Sequence, residues 1–141
     1  MLRVYVSGPY TSDPVLGIER AIEAADELFR AGFCPFLPHL SHYWNVRYPH
    51  DWAEWMRYDD AWLSLCDALI WLPGPSIGVE TEIESATRRG IPVFPWANGD
   101  AIRSLQWLSR QVQRRVLDAK NCPDDRPPIS EVVQWVMPKI P

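Results

Sequence analysis

The sequence has no apolar run near the ~20 residues that a membrane-spanning helix needs, so a membrane role is not expected. It also lacks a basic stripe with interleaved aromatics. Lysine and arginine are thinly spread apart from Arg88-Arg89 and Arg114-Arg115, and the net charge is -4, which argues against a nucleic acid polymer as partner. The chain opens directly on a strand-like segment without a charged leader and long apolar stretch, so a cytoplasmic location is expected. Cysteine is scarce too. Cys34, Cys66 and Cys122 have neither metal-ligand spacing nor the even count of a disulfide framework, and two of them sit in or beside apolar runs, which fits buried reduced thiols. His39, His42 and His50 do not recur at i, i+4 with a ligating carboxylate, so no metal is expected, and no cofactor is expected. G-x-G-x-x-G and G-x-x-x-x-G-K-[ST] are both missing, which disfavours dinucleotides and Mg-nucleotide triphosphates. Ser76 and Cys66 have no activating histidine nearby.

What is present is 141 residues of ordinary globular composition, enough for one core, and eight tryptophans. Four of them, Trp44, Trp52, Trp55 and Trp62, crowd one region. Core or dimer-interface packing explains them, as does a base-stacking surface. Leu2 to Ser7, Phe33 to Leu37, Ala68 to Leu72 and Ile91 to Pro95 read as strands. Between them lie helices over Pro14–Ala31, Asp51–Cys66 and Gly78–Arg89, with Ile102–Leu117 following the last strand. Asp13 and Asp51 are natural N-caps. The first helix has apolar positions Ile18, Ala21, Ile22, Ala25, Leu28 and Phe29. Residues 41–50 read as a decorated loop, 118–128 as a polar proline-containing linker, and 129–137 as a short last helix of the same single domain. Near-continuously apolar strands alternating with helices specify an α/β fold, a small Rossmann-like or flavodoxin-like three-layer arrangement with a four- to five-stranded parallel sheet. Ligands bind such sheets outside the carboxyl ends of the strands.

Two carboxylates stand out by position. On the helix from Gly78, Val79, Ile83 and Ala86 fall within about 60° of one another and mark the core stripe. Glu82 lies about 60° from Val79 at the edge of that stripe, whereas Glu80 and Glu84 point to the other flank. In the preceding helix Trp52, Trp55, Asp59, Trp62 and Cys66 alternate at spacings of three and four, so Asp59 occupies the centre of an apolar stripe and Asp60 points elsewhere. A buried carboxylate is costly unless partnered, and such groups gather at functional sites; a purely structural role satisfied by backbone groups is the competing reading. Ser76 is either a plain N-cap or a holder of a phosphate or sugar hydroxyl at the helix N-terminus.

V-Y-V-S-G-P-Y-T at the start, D-D-A-W-L-S-L-C-D-A-L-I-W-L-P-G in the middle and S-I-G-V-E-T-E-I-E-S-A after it resemble the nucleoside 2-deoxyribosyltransferase-like superfamily. The likeness is closest to a small bacterial and phage branch, in a superfamily that includes 2′-deoxynucleoside 5′-phosphate N-hydrolases, and it covers roughly Leu2 to Phe94. The resemblance implies that Glu82 attacks the anomeric carbon, that Asp59, eight residues before Asp67, assists the leaving base, and that Tyr5 orients the nucleophile. It further implies that Ser76 and Gly78, with Ser7, Gly8, Pro9 and Tyr10 of the first loop, contact a nucleoside or nucleoside 5′-monophosphate, and that the protein is a homodimer or higher homo-oligomer. The G-P-Y-T loop departs from the phosphate N-hydrolases in lacking their arginine and second glycine pair. Glu80 and Glu84 stand where characterised members have small residues, and Ser104 only loosely matches a serine that reaches the neighbouring subunit's site. The expected activity is N-glycosidic bond cleavage, by hydrolysis or deoxyribosyl transfer. The alternatives are a non-catalytic nucleotide-binding or sensor domain on the same fold, and a lonely-guy-like phosphoribohydrolase through P-G-x-x-x-G-x-x-x-E.

Overall fold

The computed structural model describes residues 1–97 and 99–120. Four parallel strands form one sheet: β1 (Arg3–Ser7), β2 (Cys34–Phe36), β3 (Ala68–Trp71) and β4 (Val93–Pro95), in the spatial order β2-β1-β3-β4. Five helices connect or follow them: α1 (Pro14–Arg30), α2 (Ser41–Arg47), α3 (Trp52–Leu63), α4 (Ile77–Arg88) and α5 (Asp100–Lys120). This is the small Rossmann-like or flavodoxin-like α/β fold that the alternation of strands and helices predicts. Among the described residues the sheet has four strands, and no helix is long and apolar enough to cross a membrane.

The two faces of the sheet follow from the period of two in each strand. Val4 and Val6 of β1, with Ala68 and Ile70 of β3, face a core closed by Ala21, Ala24 and Leu28 of α1 and Leu105 and Leu108 of α5. Tyr5 and Leu69 face the other way, toward Leu63 of α3 and Ala86 of α4. Right-handed crossovers require this split, because the chain moves from β1 to β2 in one direction and from β2 through β3 to β4 in the other. The reversal falls between β1 and β3, which register Val4 to Ala68 and Ser7 to Trp71. A crevice therefore opens beyond the ends of those two strands.

Several expectations need correction. Residues 41–47 are helical, not loop: no glycine or proline interrupts them, a 3-10 turn at Pro38–Leu40 starts the winding, and Pro49 follows the cap at Tyr48. The Asn45 side-chain oxygen then accepts from the His50 amide (2.9 Å) and the Trp55 indole (2.7 Å), pinning α2 to α3. Ile22 and Phe29 of α1 are exposed, and Gly17 and Ala24 take the core positions, because a single sheet face contacts a narrow stripe. Cys34 is exposed on the edge strand. Trp52 and Trp62 are 58% and 42% exposed, so the tryptophan stripe of α3 is no core stripe. The strands β2 and β4 are shorter than predicted, and α3 stops at Leu63 rather than Cys66. Helix α5 continues to Lys120, into the predicted linker; the rest of that linker and the helix at 129–137 lie outside the described residues.

One glycine fixes the approach of α1 to the β1 loop. A Cβ on Gly17 would lie 2.5 Å from the Pro9 carbonyl oxygen and 3.2 Å from the Tyr10 Cα, both backbone atoms that cannot swing aside. Replacing a helical glycine with alanine ordinarily gains about 0.5–1 kcal/mol, but overlap with fixed backbone reverses the sign. Gly17→Ala is expected to lower unfolding stability by about 1–3 kcal/mol, read as a reduced denaturant midpoint at unchanged slope. An unchanged or raised midpoint would contradict this packing.

Candidate active site

The crevice beyond β1 and β3 is a cleft of about 870 Å³. The β1 loop supplies Gly8 and Tyr10, α3 supplies Trp52, Trp55, Met56 and Asp59, and the start of α4 supplies Ser76, Ile77, Gly78 and Val79, with Glu80 and Glu82 beyond. The strand period puts Tyr5 and Ser7 on the α3/α4 face, directly behind Glu82. The Tyr5 hydroxyl donates to Glu82 Oε1 at 2.6 Å, and the Ser7 hydroxyl donates to Oε2 at 2.5 Å. All three are buried, with Glu82 8% exposed at its cleft-facing edge. Two donors leave a carboxylate with lone pairs free for a ligand.

The wheel prediction for the three glutamates holds in part. Glu82 is buried and Glu84 is not; Glu80 is exposed but stands at the cleft. Asp59 and Asp60 are split just as sharply. Asp60 turns to the surface, where Arg89 holds it at 2.7 and 3.0 Å and the Ser85 hydroxyl donates to it at 2.5 Å, tying α3 to α4 and lowering its pKa. Asp59, 8% exposed, faces the cleft with Oδ1 lacking any partner.

These surroundings set opposite protonation states. Burial raises both carboxyls, but the hydroxyls of Ser7 and Tyr5 stabilise the charged form of Glu82 and pull its pKa back. Asp59 is pushed up to about 7, first by burial and then by the charge of Glu82. Asp59 feels Glu82 as a charge, so Glu82 ionises first and Asp59 gives up its proton only around neutrality. Tyr5 sits well above the usual phenol range through burial and the adjacent carboxylate, so it remains a donor.

The other sequence-predicted residues fall in different places. Gly8, Tyr10, Ser76 and Gly78 line the cleft. Ser7 lies behind Glu82 instead of on the wall, because its side chain shares the buried face of Tyr5. Pro9 turns away and braces two glycines: its carbonyl abuts Gly17, and a Cβ on Gly74, whose φ is +138°, would meet its ring at 2.7 Å. Ser76 caps α4, accepting from the Val79 amide at 3.3 Å, so one oxygen lone pair is already used. Ser104 sits on α5, on the other side of the sheet from the cleft.

Sequence reasoning missed His39. It is buried against the cleft, its Nε2 lies 3.2 Å from the Gly8 carbonyl and therefore carries the hydrogen, and burial lowers its pKa. A Cβ on Gly8 would meet this nitrogen at 3.1 Å and the end of the Leu72 side chain at 2.9 Å, so a larger residue here would have to push both side chains aside. Tyr10 and His42 share a 2.5 Å hydrogen bond across the same loop. Nothing in the histidine spacing signals either contact, which depends on folding the 3-10 turn over β1. Among the described residues no cluster of histidine, cysteine or carboxylate side chains suits a metal ion.

Residues 2–95 match the family described as a domain of unknown function (DUF7768). The chain belongs to that family. No curated protein matches it by sequence. Among solved structures, the DUF7768 chain is similar to a 2-desoxiribosyltransferase from Leishmania mexicana, with a TM-score of 0.53 and 17% identity over 67% of this chain and 63% of that one. At that identity the likeness establishes a common fold, and this chain spans less than two thirds of the neighbour's length.

The raised Asp59 pKa carries a sign for stability. Between its ordinary value of 3.8 and about 7, the folded state holds a proton that the unfolded state has lost, so stability falls as pH rises through that window. A neutral amide at this position has no such cost. Asp59→Asn is expected to match the parent at pH 4 and exceed it by about 1–3 kcal/mol at pH 8, below the ~4 kcal/mol of the full shift because the cleft admits water. Thermal unfolding at both pH values tests this; equal stability of the two proteins throughout would contradict it.

Proposed function

We propose that this DUF7768 protein cleaves the N-glycosidic bond of a nucleoside or nucleoside 5′-monophosphate, by hydrolysis or by transfer of the sugar to a second base, the chemistry that its resemblance to the nucleoside 2-deoxyribosyltransferase-like superfamily implies. The observation that carries this reading is a pair of carboxyl groups lining one cleft in unlike surroundings, Glu82 held by two hydroxyl donors and Asp59 left with a buried oxygen that has no partner, where burial raises its pKa to about 7. Opposed carboxyl groups of this kind serve glycosidic cleavage, which needs negative charge at the sugar and a proton for the leaving group. The shared fold with a protein named as a 2-desoxiribosyltransferase supports the same chemistry.

Each step then has a group to perform it. Glu82 attacks the anomeric carbon as the bond to the base breaks, and the bonding pair leaves with the base nitrogen. Asp59 delivers its proton to that base and becomes a carboxylate. Water, losing a proton to Asp59, then displaces Glu82 from the sugar; a second base in its place gives transfer. Tyr5 and Ser7 are positioning residues that hold both Glu82 oxygens. The aromatic wall of Trp52 and Trp55 runs along the same helical face as Asp59, where a departing base would stack.

Incubation with nucleosides and their monophosphates, followed by chromatography for free base, tests the reading. Glu82→Gln is expected to reduce kcat/KM by about 10³-fold or more, and Asp59→Asn by about 10²–10⁴-fold, most for poor leaving bases. The parent rate should fall as pH rises through about 7, where Asp59 loses its proton. It should also fall in acid as Glu82 protonates, above the usual glutamate range. Ligand binding with no base released, or a rate that keeps climbing above pH 8, would contradict the assignment.

A further inference from the structure

We infer that Glu80 makes the cleft reject a 5′-phosphate, so that the substrates are uncharged nucleosides; this rests on the glycosidic reading of the same cleft. Among the described residues that line it there is no lysine or arginine, but three carboxyl groups, Asp59, Glu80 and Glu82. Its two histidines do not compensate. His39 is buried with its pKa lowered, and His50 stands 3.5 Å from the Glu54 carboxylate. Two helix N-termini in the cleft wall would attract an anion, that of α3, already capped by Asp51 with Glu54, and that of α4 beside Ser76 and Gly78. The α4 end, too, is already answered from within the chain. The Ser76 hydroxyl accepts from the Val79 amide, and Glu80 places a carboxylate in the first turn, where the helix dipole favours it. Among the described residues Glu80 has no ion-pair partner, and it is exposed to the cleft, so a phosphate arriving beside Ser76 and Gly78 meets a like charge with no cation to screen it. Glu82, two residues further along α4, adds a second.

The test compares a set of nucleosides with the 5′-monophosphates of the same bases, using the full chain, for base release and for binding by calorimetry. The parent is expected to favour the nucleoside by about 100-fold in kcat/KM and at least about tenfold in affinity, and the preference should shrink as salt rises from low to about 0.5 M because the discrimination is electrostatic. Glu80→Lys is expected to raise the monophosphate-to-nucleoside ratio by about tenfold or more, with Glu80→Gln between the two. A ratio is read within one protein, so partial loss of folded material leaves it intact. Equal turnover of monophosphate and nucleoside overturns this inference and leaves the glycosidic reading standing. A preference that is indifferent to both salt and Glu80→Lys overturns it as well, since shape would then be excluding the phosphate. Nucleoside bound in preference but never cleaved supports the exclusion and overturns the glycosidic reading; binding of neither compound overturns both.

Discussion

The structure depends on burying one carboxylate. Glu82 occupies the interface between α4 and the sheet, a place where an ionised group without partners would cost several kcal/mol. Two hydroxyls from a single strand, Tyr5 and Ser7, meet that cost by donating one hydrogen bond to each oxygen. Their spacing of two is what a strand needs to aim both at one face, and the parallel register of β1 with β3 sets where α4 crosses them. The buried phenol is itself satisfied by this contact, so strand, helix and carboxylate specify one another.

The second constraint is how two adjacent aspartates are driven apart. A rotation of about 100° along α3 separates Asp60, paired with Arg89 and Ser85, from Asp59, left with an unpartnered oxygen. The surface pair fastens α3 to α4 and thereby fixes how Asp59 and Glu82 face the same space. Exposed ion pairs contribute little stability, so the value of Asp60 lies in placing its neighbour. The aromatic contacts from Phe36 through Trp62 and Tyr58 to Trp44 and Trp55, with ring centres 5.1–6.4 Å apart, give α3 a stiff outer wall on the same side.

Much of this was legible in the residues. Strand and helix alternation indicated the fold, because fully covered parallel strands read as apolar runs. Helical phase alone set Glu82 apart from Glu84 and Asp59 from Asp60, since burial follows angle on a helix. What the sequence concealed were contacts made by chain crossings. Ser7 reads as the last residue of the first strand, where it opens the Gly8 loop, and only the strand period beside Tyr5 turns it behind Glu82. His39 reads as one of three ordinary histidines until the 3-10 turn presses it onto the Gly8 carbonyl. Helix α2 escaped notice because its aromatic and polar residues carry no amphipathic stripe, and Asn45, which anchors it, acts across the junction to α3. The helical phase of Glu80 turns it to solvent, and that solvent is the cleft.

The glycosidic reading of the cleft turns on Glu82 being ionised while Asp59 still holds its proton. Carbon-13 carboxyl NMR, following both side chains through a pH titration of the free protein, measures this without reference to any substrate. Glu82 is expected to titrate first, with Asp59 titrating last, near pH 7. An Asp59 signal that titrates near the ordinary aspartate value of 3.8, or a Glu82 signal that titrates after it, would contradict the assignment of nucleophile and acid.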